Sequence, residues 1–390
     1  MEPEGKAKVE AGNGASLRVI VAGGGTTGHL SPGLALADRL RLGGAQVMFI
    51  GTPNGPEARI VPKSGYPFAA VRVIGRGPGK LTPRNLRAAA KLGTATIRSL
   101  AIVRRFRPHV VVGTGGYVSL PAAAAARLTR VPLVLHEQNS VPGLANRVAR
   151  RFASAVGVSF PGTERFFGPG AVLVGNPVRD VLKDFDKQAL KPAGCAEFGV
   201  EPDRPVLLVF GGSQGAQSIN EAVAGTYDHW RSSDLQILHL AGPRNAGSVA
   251  KAVDERRDPG DSLIYRVVGY TDSMELAYAC SDLALCRSGA STVAELAAVG
   301  LPAVLVPLPI SLDDDQRKNA EAVVEAGGAR MVLNANLNPQ VVVKEVESLI
   351  RDRAGLESLA RGVRSLARPD AAERFAELVV ATAGRGHGAA

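Results

Sequence analysis

The first half of the chain is organised around residues 19–32, whose sequence is VIVAGGGTTGHLSP. The small apolar residues 19–22 predict a buried strand, and the glycines and threonines after them predict a tight turn. A helix is expected to begin near Ser31 and Pro32, because proline suits the first helical position. Glycines let backbone N–H groups approach a ligand, and the helix start adds a positive dipole end. The junction therefore favours an anionic group beside His29, although a purely structural turn stays open here.

Short aliphatic strands and helices alternate along the rest of this half. Strands are predicted at Arg18–Ala22, Gln46–Ile50, Ala69–Val73, Val110–Gly113, Leu133–His136 and Ala155–Val158, and helices at Pro32–Arg41, Pro83–Arg105, Leu120–Leu128 and Val141–Phe152. Such alternation predicts a parallel sheet wrapped by helices, which binds ligands at the carboxyl ends of its strands. The loops GGGTTGH, GTGGY and HEQN each follow a predicted strand, so we expect them to share that edge.

A second α/β unit follows the segment GNPVR at residues 175–179. The strand Pro205–Phe210 ends at a second glycine turn, Gly211–Ala216, which opens a helix as the first turn does. Later strands are expected at Ile237–Leu240, Leu263–Val267, Leu283–Cys286, Ala303–Val306 and Arg330–Leu333. The predicted fold class is therefore α/β, with two Rossmann-like, doubly wound parallel-sheet domains at residues 17–178 and 179–367. Residues 1–16 are expected to be a disordered extension.

Composition agrees with this fold class. The 390 residues are 45% hydrophobic but only 5% aromatic, as expected for aliphatic strands and alanine-rich helices. The three cysteines, Cys195, Cys280 and Cys286, have no metal-ligand spacing and suit a reducing compartment. No signal peptide is recognised at residues 1–16, and no apolar run approaches the roughly 18–20 residues of a membrane span. A cytoplasmic protein is expected.

Charge is unevenly distributed along the chain. Residues 1–178 hold 23 Lys or Arg and 7 Asp or Glu, a balance of +16, whereas residues 179–390 have a balance of −6. Between Glu57 and Glu137 there are fourteen basic residues and no acid. A surface of this kind attracts polyanions, which means nucleic acid or an anionic membrane.

The densest group of candidate binding residues lies between residues 269 and 319. The strand Leu283–Cys286 leads into a helix that Ser291 and Thr292 are expected to cap, with its free N–H groups available to a phosphate. Glu295 is a candidate acceptor for two ribose hydroxyls, or else an ordinary acid near a positive helix end.

A second polar loop lies farther along. Gln316 and Asn319 are amides three residues apart, which suit sugar hydroxyls because an amide both donates and accepts. The aspartates at 313–315 leave a divalent-cation site as a less favoured interpretation.

Seven motifs occur in order: GGGTTGH (23–29), GTGGYVSLP (113–121), HEQNSVPG (136–143), GNPVR (175–179), GGSQGA (211–216), CRSGASTVAELAAVGLP (286–302) and DQRKNA (315–320). Together they resemble the MurG family of bacterial glycosyltransferases, which belongs to glycosyltransferase family 28. The resemblance covers roughly Arg18 to Asn319. It implies the two-domain GT-B fold, with the domains facing a cleft. It also implies that a last helix, near 368–384, returns to the first domain, and Ala371–Thr382 is the candidate for it.

The resemblance implies an inverting transfer of N-acetylglucosamine from UDP-N-acetylglucosamine to the C4 hydroxyl of lipid-linked N-acetylmuramoyl-pentapeptide, with no metal required at the protein's own residues. The residues matched to the donor are Thr26, Thr27, Gly28, Asn139, Arg179, Ser213, Tyr270, Thr271, Ala290, Ser291, Thr292, Glu295, Gln316 and Asn319. Those matched to the acceptor are Gly115, Gly116 and Tyr117. The chain departs from the family at Thr27, where glycine is common, and at Asp315, where an amide is common, so no sugar contact is assigned to Asp315.

His29 is the leading candidate for the catalytic base. Displacement with inversion needs a base on the face opposite the leaving group and charge stabilisation of the leaving diphosphate. An ordinary histidine pKa near 6.5 suits proton uptake at neutral pH. Hydrogen bonding to the acceptor diphosphate is the alternative role for His29.

A membrane-bound acceptor would explain the acid-free stretch. The implied location is the cytoplasmic face of the cell membrane, where the first domain would bind anionic lipids peripherally. The basic and aliphatic residues proposed to make that contact are Lys80, Leu81, Arg84, Leu86, Arg87 and Lys91, with Leu92, Ile97 and Arg98 beside them. Cell-division and elongation proteins are possible further partners.

Three alternatives stay open from the sequence. A UDP-N-acetylglucosamine 2-epimerase would share the fold and the donor site but would need no membrane-facing stretch. A dinucleotide oxidoreductase is less favoured, because no acid follows the first glycine turn at the usual spacing of about 20 residues. A nucleic-acid-binding protein would explain the charge, yet the basic stretch lacks interleaved aromatic residues for base stacking.

Overall fold

The computed structural model describes residues 10–11, 15–73, 83–309 and 314–385. The strands of this part of the chain are β1 Glu10–Ala11, β2 Ala15–Ser16, β3 Arg18–Gly23, β4 Gln46–Gly51, β5 Phe68–Ala70, β6 Val110–Gly115, β7 Leu133–Glu137, β8 Ala155–Val158, β9 Ala171–Leu173, β10 Val206–Phe210, β11 Gln236–Leu240, β12 Ile264–Val268, β13 Leu283–Cys286, β14 Ala303–Leu305 and β15 Ala329–Met331. The α-helices are α1 Thr27–Leu42, α2 Glu57–Lys63, α3 Pro83–Phe106, α4 Ser119–Thr129, α5 Leu144–Ala149, α6 Lys187–Phe198, α7 Gln217–Ala224, α8 Tyr227–Trp230, α9 Ala246–Asp254, α10 Met274–Ala279, α11 Ala290–Val299, α12 Asp315–Glu325, α13 Pro339–Ile350, α14 Arg353–Ser365 and α15 Ala371–Arg385.

The chain divides into two compact units. Unit 1 runs to Arg179 and resumes at Arg368, and unit 2 comprises Asp180–Ala367. The strand order of the unit 1 sheet is β5-β4-β3-β6-β7-β8-β9, and that of unit 2 is β12-β11-β10-β13-β14-β15. Neighbouring strands within each of these two sheets are parallel. The prediction of two Rossmann-like parallel-sheet domains is confirmed.

Both faces of the unit 1 sheet are buried. Along β3, Val19 and Val21 face one hydrophobic core and Ile20 and Ala22 face the other, as the two-residue period of a strand requires. Helix α15 supplies Phe375 to the first of these cores, where its ring stacks on that of His136 at 4.5 Å between centroids. Helices on both faces explain why the strands read as continuous aliphatic runs.

Several predicted boundaries differ from the structure. Helix α1 begins at Thr27 and not near Ser31, so Gly28 and His29 lie in its first turn and Pro32 lies inside the helix. The helix predicted at Val141–Phe152 is the shorter α5 followed by a 3-10 turn at Arg150–Phe152. Strand β9 was not predicted, because its three residues, Ala171–Leu173, are too short to show a period.

The first residues also depart from the expectation. Glu10–Ala11 and Ala15–Ser16 pair as antiparallel strands, although residues 1–16 were expected to be disordered. The pairing corrects that expectation for these four residues; residues 1–9 and 12–14 lie outside the described part of the chain.

Candidate active site

His29 lies between the first two loops at the carboxyl edge of the unit 1 sheet. A Cβ atom added to Gly115 would come within 2.8 Å of His29 Cδ2, and one added to Gly116 would lie 3.4 Å from His29 Nδ1. Both glycines have positive φ, +100° and +74°, so residues with side chains are disfavoured there on two grounds. Thr26 Oγ1 lies 3.0 Å from His29 Nδ1. The glycine pair therefore provides the surface on which the imidazole rests, and Thr26 orients it.

The buried carboxylate of Glu57 holds the first glycine loop in place. Glu57 is 1% exposed and accepts hydrogen bonds from Gly25 N at 3.1 Å, Thr52 N at 2.8 Å and Thr52 Oγ1 at 2.6 Å. A Cβ atom on Gly24 or Gly55 would lie within 2.3 Å of its oxygens. The Gly25 N–H therefore binds Glu57, and the anion expected at this junction is left to the N-terminal turn of α1. Glu57 was not predicted as a site residue. Its position at the start of α2, two residues after Gly55 in the loop that follows β4, was the one feature of the sequence that could have indicated its role.

The third loop of unit 1 is held by a second buried carboxylate. Glu137 accepts hydrogen bonds from Asn139 N at 3.0 Å, Gly143 N at 3.1 Å and Asn146 Nδ2 at 2.9 Å. Burial raises the pKa of Glu137, against the effect of these donors. The Asn139 side chain, predicted to contact the donor, also donates to Glu137 Oε1 at 3.2 Å. Gln138 Nε2 donates to Thr114 O at 2.8 Å and so ties this loop to the second.

The start of helix α11 in unit 2 has the features of a phosphate site. Gly289 is the N-cap, so Ser291 and Thr292 occupy the second and third helical positions and do not cap the helix as expected. The Ser291 hydroxyl is buried and has no hydrogen-bond partner among the described residues. The Ser291 hydroxyl and the N–H groups of the first turn together form a set of hydrogen-bond donors at the positive end of the helix dipole. An anionic oxygen fits these donors.

Glu295 lies one turn farther along α11. Its Oε2 accepts a hydrogen bond of 2.7 Å from Tyr278 Oη, and Tyr278 is buried on α10. Tyr278 therefore orients a carboxylate on the same helix that carries Ser291. Sequence reasoning missed Tyr278, because nothing in its own segment, MELAYA, marks the contact.

The loop before α10 presents the residues expected near a base. Tyr270 is 57% exposed, and its hydroxyl donates to Asp272 Oδ1 at 3.1 Å. Thr271 Oγ1 accepts from Ser273 N at 3.0 Å and so shapes the turn.

Arg287 joins three segments of unit 2. Its Nη1 donates to the carbonyls of Val306 and Pro307, both at 3.0 Å, and to Asn334 Oδ1 at 2.9 Å. Its Nη2 donates to Ser218 Oγ at 2.9 Å, and burial lowers the pKa of Arg287. Arg287 was not predicted as a site residue, although it directly follows β13 within the motif CRSGAST.

The two amide side chains of α12, Gln316 and Asn319, make different contacts. Asn319 is fully buried and its Nδ2 donates to Ser288 O at 3.3 Å, so its side chain is not exposed to a ligand in this structure. The direct sugar contact expected for Asn319 stays a prediction, and in this structure its amide also holds the loop after β13. Gln316 is half-buried, and its Oε1 accepts from Leu308 N at 3.1 Å. Asp315 Oδ1 accepts from Gln316 N at 2.9 Å.

The other predicted residues are placed as follows. Ser213 is exposed in the glycine loop before α7, where Gly215 has φ +75° and no room for a Cβ beside Ala241 O. Arg179 is exposed at the end of the first stretch of unit 1. Tyr117 is half-buried beside Gly116. The backbone of Thr27 begins α1, and its side chain lies outside the described part of the structure.

The predicted membrane patch is only partly described. Lys80 and Leu81 lie outside the described residues, and Arg84, Leu86 and Arg87 lie in the first turns of α3 with their side chains outside the described part. Lys91 is exposed on the same helix. Within the described ranges, no helix has the length and apolarity to cross a bilayer. Nor do three His, Cys, Asp or Glu side chains of these ranges come together as a metal site.

Comparison with known proteins agrees with the resemblance noted above. Residues 19–158 match the glycosyltransferase family 28 N-terminal domain, and residues 206–375 match the family's C-terminal domain. A Nocardioides protein named UDP-N-acetylglucosamine–N-acetylmuramyl-(pentapeptide) pyrophosphoryl-undecaprenol N-acetylglucosamine transferase is 43% identical, over 93% of this chain and 98% of its own. A Thermobifida fusca protein of the same name is 42% identical over 94% of each chain.

A solved structure gives the same result. The crystal structure of MurG from Acinetobacter baumannii matches with a TM-score of 0.76 and 29% identity, over 94% of this chain and 99% of that one. The fold class is therefore GT-B. The chain belongs to glycosyltransferase family 28 and, within it, to the MurG family.

Proposed function

We infer that this chain transfers N-acetylglucosamine from UDP-N-acetylglucosamine to lipid-linked N-acetylmuramoyl-pentapeptide in peptidoglycan synthesis, converting lipid I to lipid II. This inference rests on the side chains that helix α11 presents. Helix α11 presents the Ser291 hydroxyl, which has no hydrogen-bond partner within the described ranges, in its first turn, and Glu295, oriented by Tyr278, in its second. One helix can thus bind the diphosphate and the ribose of a nucleotide sugar, and the names of the relatives specify that donor and its acceptor.

The residues of the proposed donor site come from the start of α11, the glycine loop before α7, the loop before α10 and helix α12, all in unit 2, together with Arg179. The N–H groups of Ala290, Ser291 and Thr292 bind the diphosphate, because a helix start stabilises negative charge without a metal ion. Ser213 and Arg179 add hydrogen bonds and charge to the same group. Tyr270 and Thr271 flank the uracil, Glu295 accepts from the ribose hydroxyls, and Gln316 contacts the sugar.

The proposed acceptor site lies at the His29 loops of unit 1. His29 takes the proton of the C4 hydroxyl as that oxygen attacks the anomeric carbon and UDP leaves from the opposite face. Thr26 orients the imidazole through Nδ1, so Nε2 is the atom that takes the proton. Gly115, Gly116 and Tyr117 border the acceptor, and Thr26, Thr27, Gly28 and Asn139 line the donor side.

Helix α3 supports peripheral binding to the cytoplasmic face of an anionic membrane. Lys91, Arg98 and Arg105 recur every seven residues, so they form one exposed stripe along the helix. Ile97, 70% exposed, lies about 100° around the helix from that stripe. A basic stripe with an exposed aliphatic residue on an adjoining face is the arrangement by which interfacial helices bind anionic lipids.

Product analysis tests the proposed function. Incubation of the protein with UDP-N-acetylglucosamine and a lipid-linked muramoyl-pentapeptide should give UDP and a disaccharide-carrying lipid, and incubation without the lipid should leave the donor unchanged. Conversion of the donor to its C2 epimer in the absence of lipid would instead identify an epimerase. The family match and the names of the relatives do not favour that alternative.

A further inference from the structure

A cavity of about 660 Å³ lies in unit 1 at the edge of the sheet opposite the His29 loops. It is bordered by the amino ends of the central strands: Arg18 begins β3, His109 precedes β6 and Pro132 precedes β7. His109 is buried, and its Nδ1 accepts a hydrogen bond of 2.9 Å from Arg18 N, which fixes the cavity floor. The cavity is thus separate from the loops assigned to the acceptor.

Four arginines line this cavity and no acid does: Arg18, Arg104, Arg107 and Arg130. Among the residues that the structure describes, none of the four forms an ion pair with an acidic side chain. The arginines of unit 2 behave differently, since Arg231 pairs with Asp228 and Asp258, and Arg317 pairs with Asp314 and Glu321. Arg18 Nε donates to the carbonyl of Arg107 at 2.8 Å, which is a neutral acceptor, so a bound anion would complement the positive charge of the cavity.

Two of these arginines occupy backbone positions that favour glycine. Arg107 follows the last residue of α3 with φ +52°, and Arg130 ends α4 with φ +58°. A basic residue at a helix end can complement the dipole, but Arg104, Arg105 and Arg127 already do so from the last turns of the two helices. The positive φ of each residue is that of a left-handed helix C-cap, since the Arg107 N–H donates to Val103 O at 2.8 Å and the Arg130 N–H donates to Arg127 O at 3.4 Å. Such a cap favours glycine and does not require an arginine side chain, so the cap alone does not explain the two guanidinium groups.

We propose that this cavity is a second anion site, which binds a phosphate-bearing group with two or more negative charges. Guanidinium groups suit this ligand because they donate pairs of hydrogen bonds to phosphate oxygens. The cavity volume lies in the range of roughly 300–1,000 Å³ typical of small-molecule sites. A free polyphosphate and the phosphate of a lipid headgroup share this chemistry.

The test uses the full chain and the double variant Arg107→Gly/Arg130→Gly. Both substitutions remove charge and also relieve the strained backbone, so the variant is expected to unfold at a temperature no lower than the wild type. The charge-matched control is Arg59→Gln/Lys63→Gln, on the exposed side of α2 in the same unit.

Pyrophosphate is titrated calorimetrically into each protein; the donor site is the same in all three, so only the cavity distinguishes the double variant. The wild type and the control should bind pyrophosphate alike, and the double variant should bind it about tenfold more weakly or worse. In a second arm, partition onto phosphatidylglycerol vesicles is compared with phosphatidylcholine vesicles; a deficit confined to the double variant in this arm alone would assign the site to lipid phosphate. Equal behaviour of all three proteins in both arms, or a wild type that binds neither probe, would overturn the proposal. Neither pair of substitutions changes a residue assigned to the donor or the acceptor, so the result is independent of whether the transferase assignment holds.

Discussion

At the residue scale, two buried carboxylates shape the candidate acceptor loops. Glu57 and Glu137 are the acids that border the acid-free stretch of the sequence, and both accept hydrogen bonds from loop N–H groups. Buried polar groups persist where their partners are satisfied, so each carboxylate specifies one conformation of its loop. The conformation of the loop that carries Thr26, just before His29, therefore depends on the Glu57 carboxylate.

Replacing Glu57 with glutamine tests this dependence. The N–H groups of the glutamine amide would face the hydrogen-bond donors of Gly25 and Thr52, so these donors would lose an acceptor. The free energy of unfolding of unit 1 should therefore fall by about 1–3 kcal/mol. Transfer activity should fall as well, because the loop before His29 loses its support. Chemical denaturation and initial rates measure the two effects, with the exposed Glu377→Gln as the control. A Glu57→Gln protein as stable and active as the control would contradict the role given to Glu57.

A buried histidine gives unit 2 a pH dependence. His239 lies 2.8 Å from Tyr265 Oη and 3.0 Å from Asn220 Oδ1, and burial lowers its pKa to about 3. Below pH 6.5 the unfolded chain takes up a proton at this residue and the folded chain does not, so acid favours unfolding. The free energy of unfolding should therefore fall by roughly 1.4 kcal/mol per pH unit as the pH falls from about 6.5 towards 4. Denaturation curves of the wild type and His239→Gln measure it, and parallel pH profiles would count against it.

The sequence predicted the residues whose role is local. His29, Ser291 and Glu295 lie in recognisable motifs beside strand ends, so their placement followed from the pattern. The other three act on distant partners: Glu57 on Gly25, 32 residues away, Tyr278 on Glu295, 17 residues away, and Arg287 on Asn334, 47 residues away. Such partners are fixed by how the strands pair, which a single sequence does not specify. Asn319 also lies in a recognisable motif, but the burial of its amide depends on how α12 packs and was not predicted.

At the element scale, the starts of two helices define the site more closely than the glycine turns do. Helix α1 begins at Thr27, four residues earlier than predicted, which brings His29 into its first turn. The prediction relied on Pro32, but proline is also tolerated one turn inside a helix when tertiary packing supports the segment. Helix α11 begins after Gly289 without a side-chain cap. Its N–H donors are thus left for a ligand.

Tyr278→Phe tests the link between helices α10 and α11. The substitution removes one hydrogen bond to Glu295 and keeps the buried ring, so the fold should be retained. We expect the KM for UDP-N-acetylglucosamine to rise by roughly 2- to 12-fold, which corresponds to about 0.5–1.5 kcal/mol, with a smaller change in kcat. Tyr227→Phe is the matched control, because Tyr227 is also buried and donates to an acid, Asp261. A rise in KM of equal size in Tyr227→Phe would contradict the role assigned to Tyr278.

At the scale of the whole molecule, the two units divide the chemistry and the charge. Unit 1 carries the basic excess and the loops assigned to the lipid-linked acceptor, and unit 2 carries the helix assigned to the nucleotide sugar. The alternation of strands and helices predicted both sheets, because each strand is buried on two faces and reads as an aliphatic run.

Membrane binding belongs to this scale. The double variant Lys91→Gln/Arg98→Gln removes two charges of the α3 stripe, and its affinity for phosphatidylglycerol vesicles should fall by roughly 1 kcal/mol per charge. The wild-type affinity should also fall as salt is added. Sedimentation with vesicles measures the affinity, and Arg59→Gln/Lys63→Gln is the control. If wild type and the stripe variant sediment equally, or if neutral vesicles bind equally well, α3 is not the lipid-binding surface.

We propose a transfer in which His29 of unit 1 takes the proton of the acceptor hydroxyl, and helix α11 of unit 2 binds the donor. The most direct measurement is the initial rate at which labelled N-acetylglucosamine passes from UDP to a lipid-linked muramoyl-pentapeptide, for the wild type and for His29→Ala at saturating concentrations of both substrates. We predict transfer by the wild type and a kcat lowered by about 10²- to 10⁴-fold in the variant, with binding of UDP-N-acetylglucosamine retained. Near-normal turnover by His29→Ala would contradict the assignment of the base, and no transfer by the wild type would contradict the function itself.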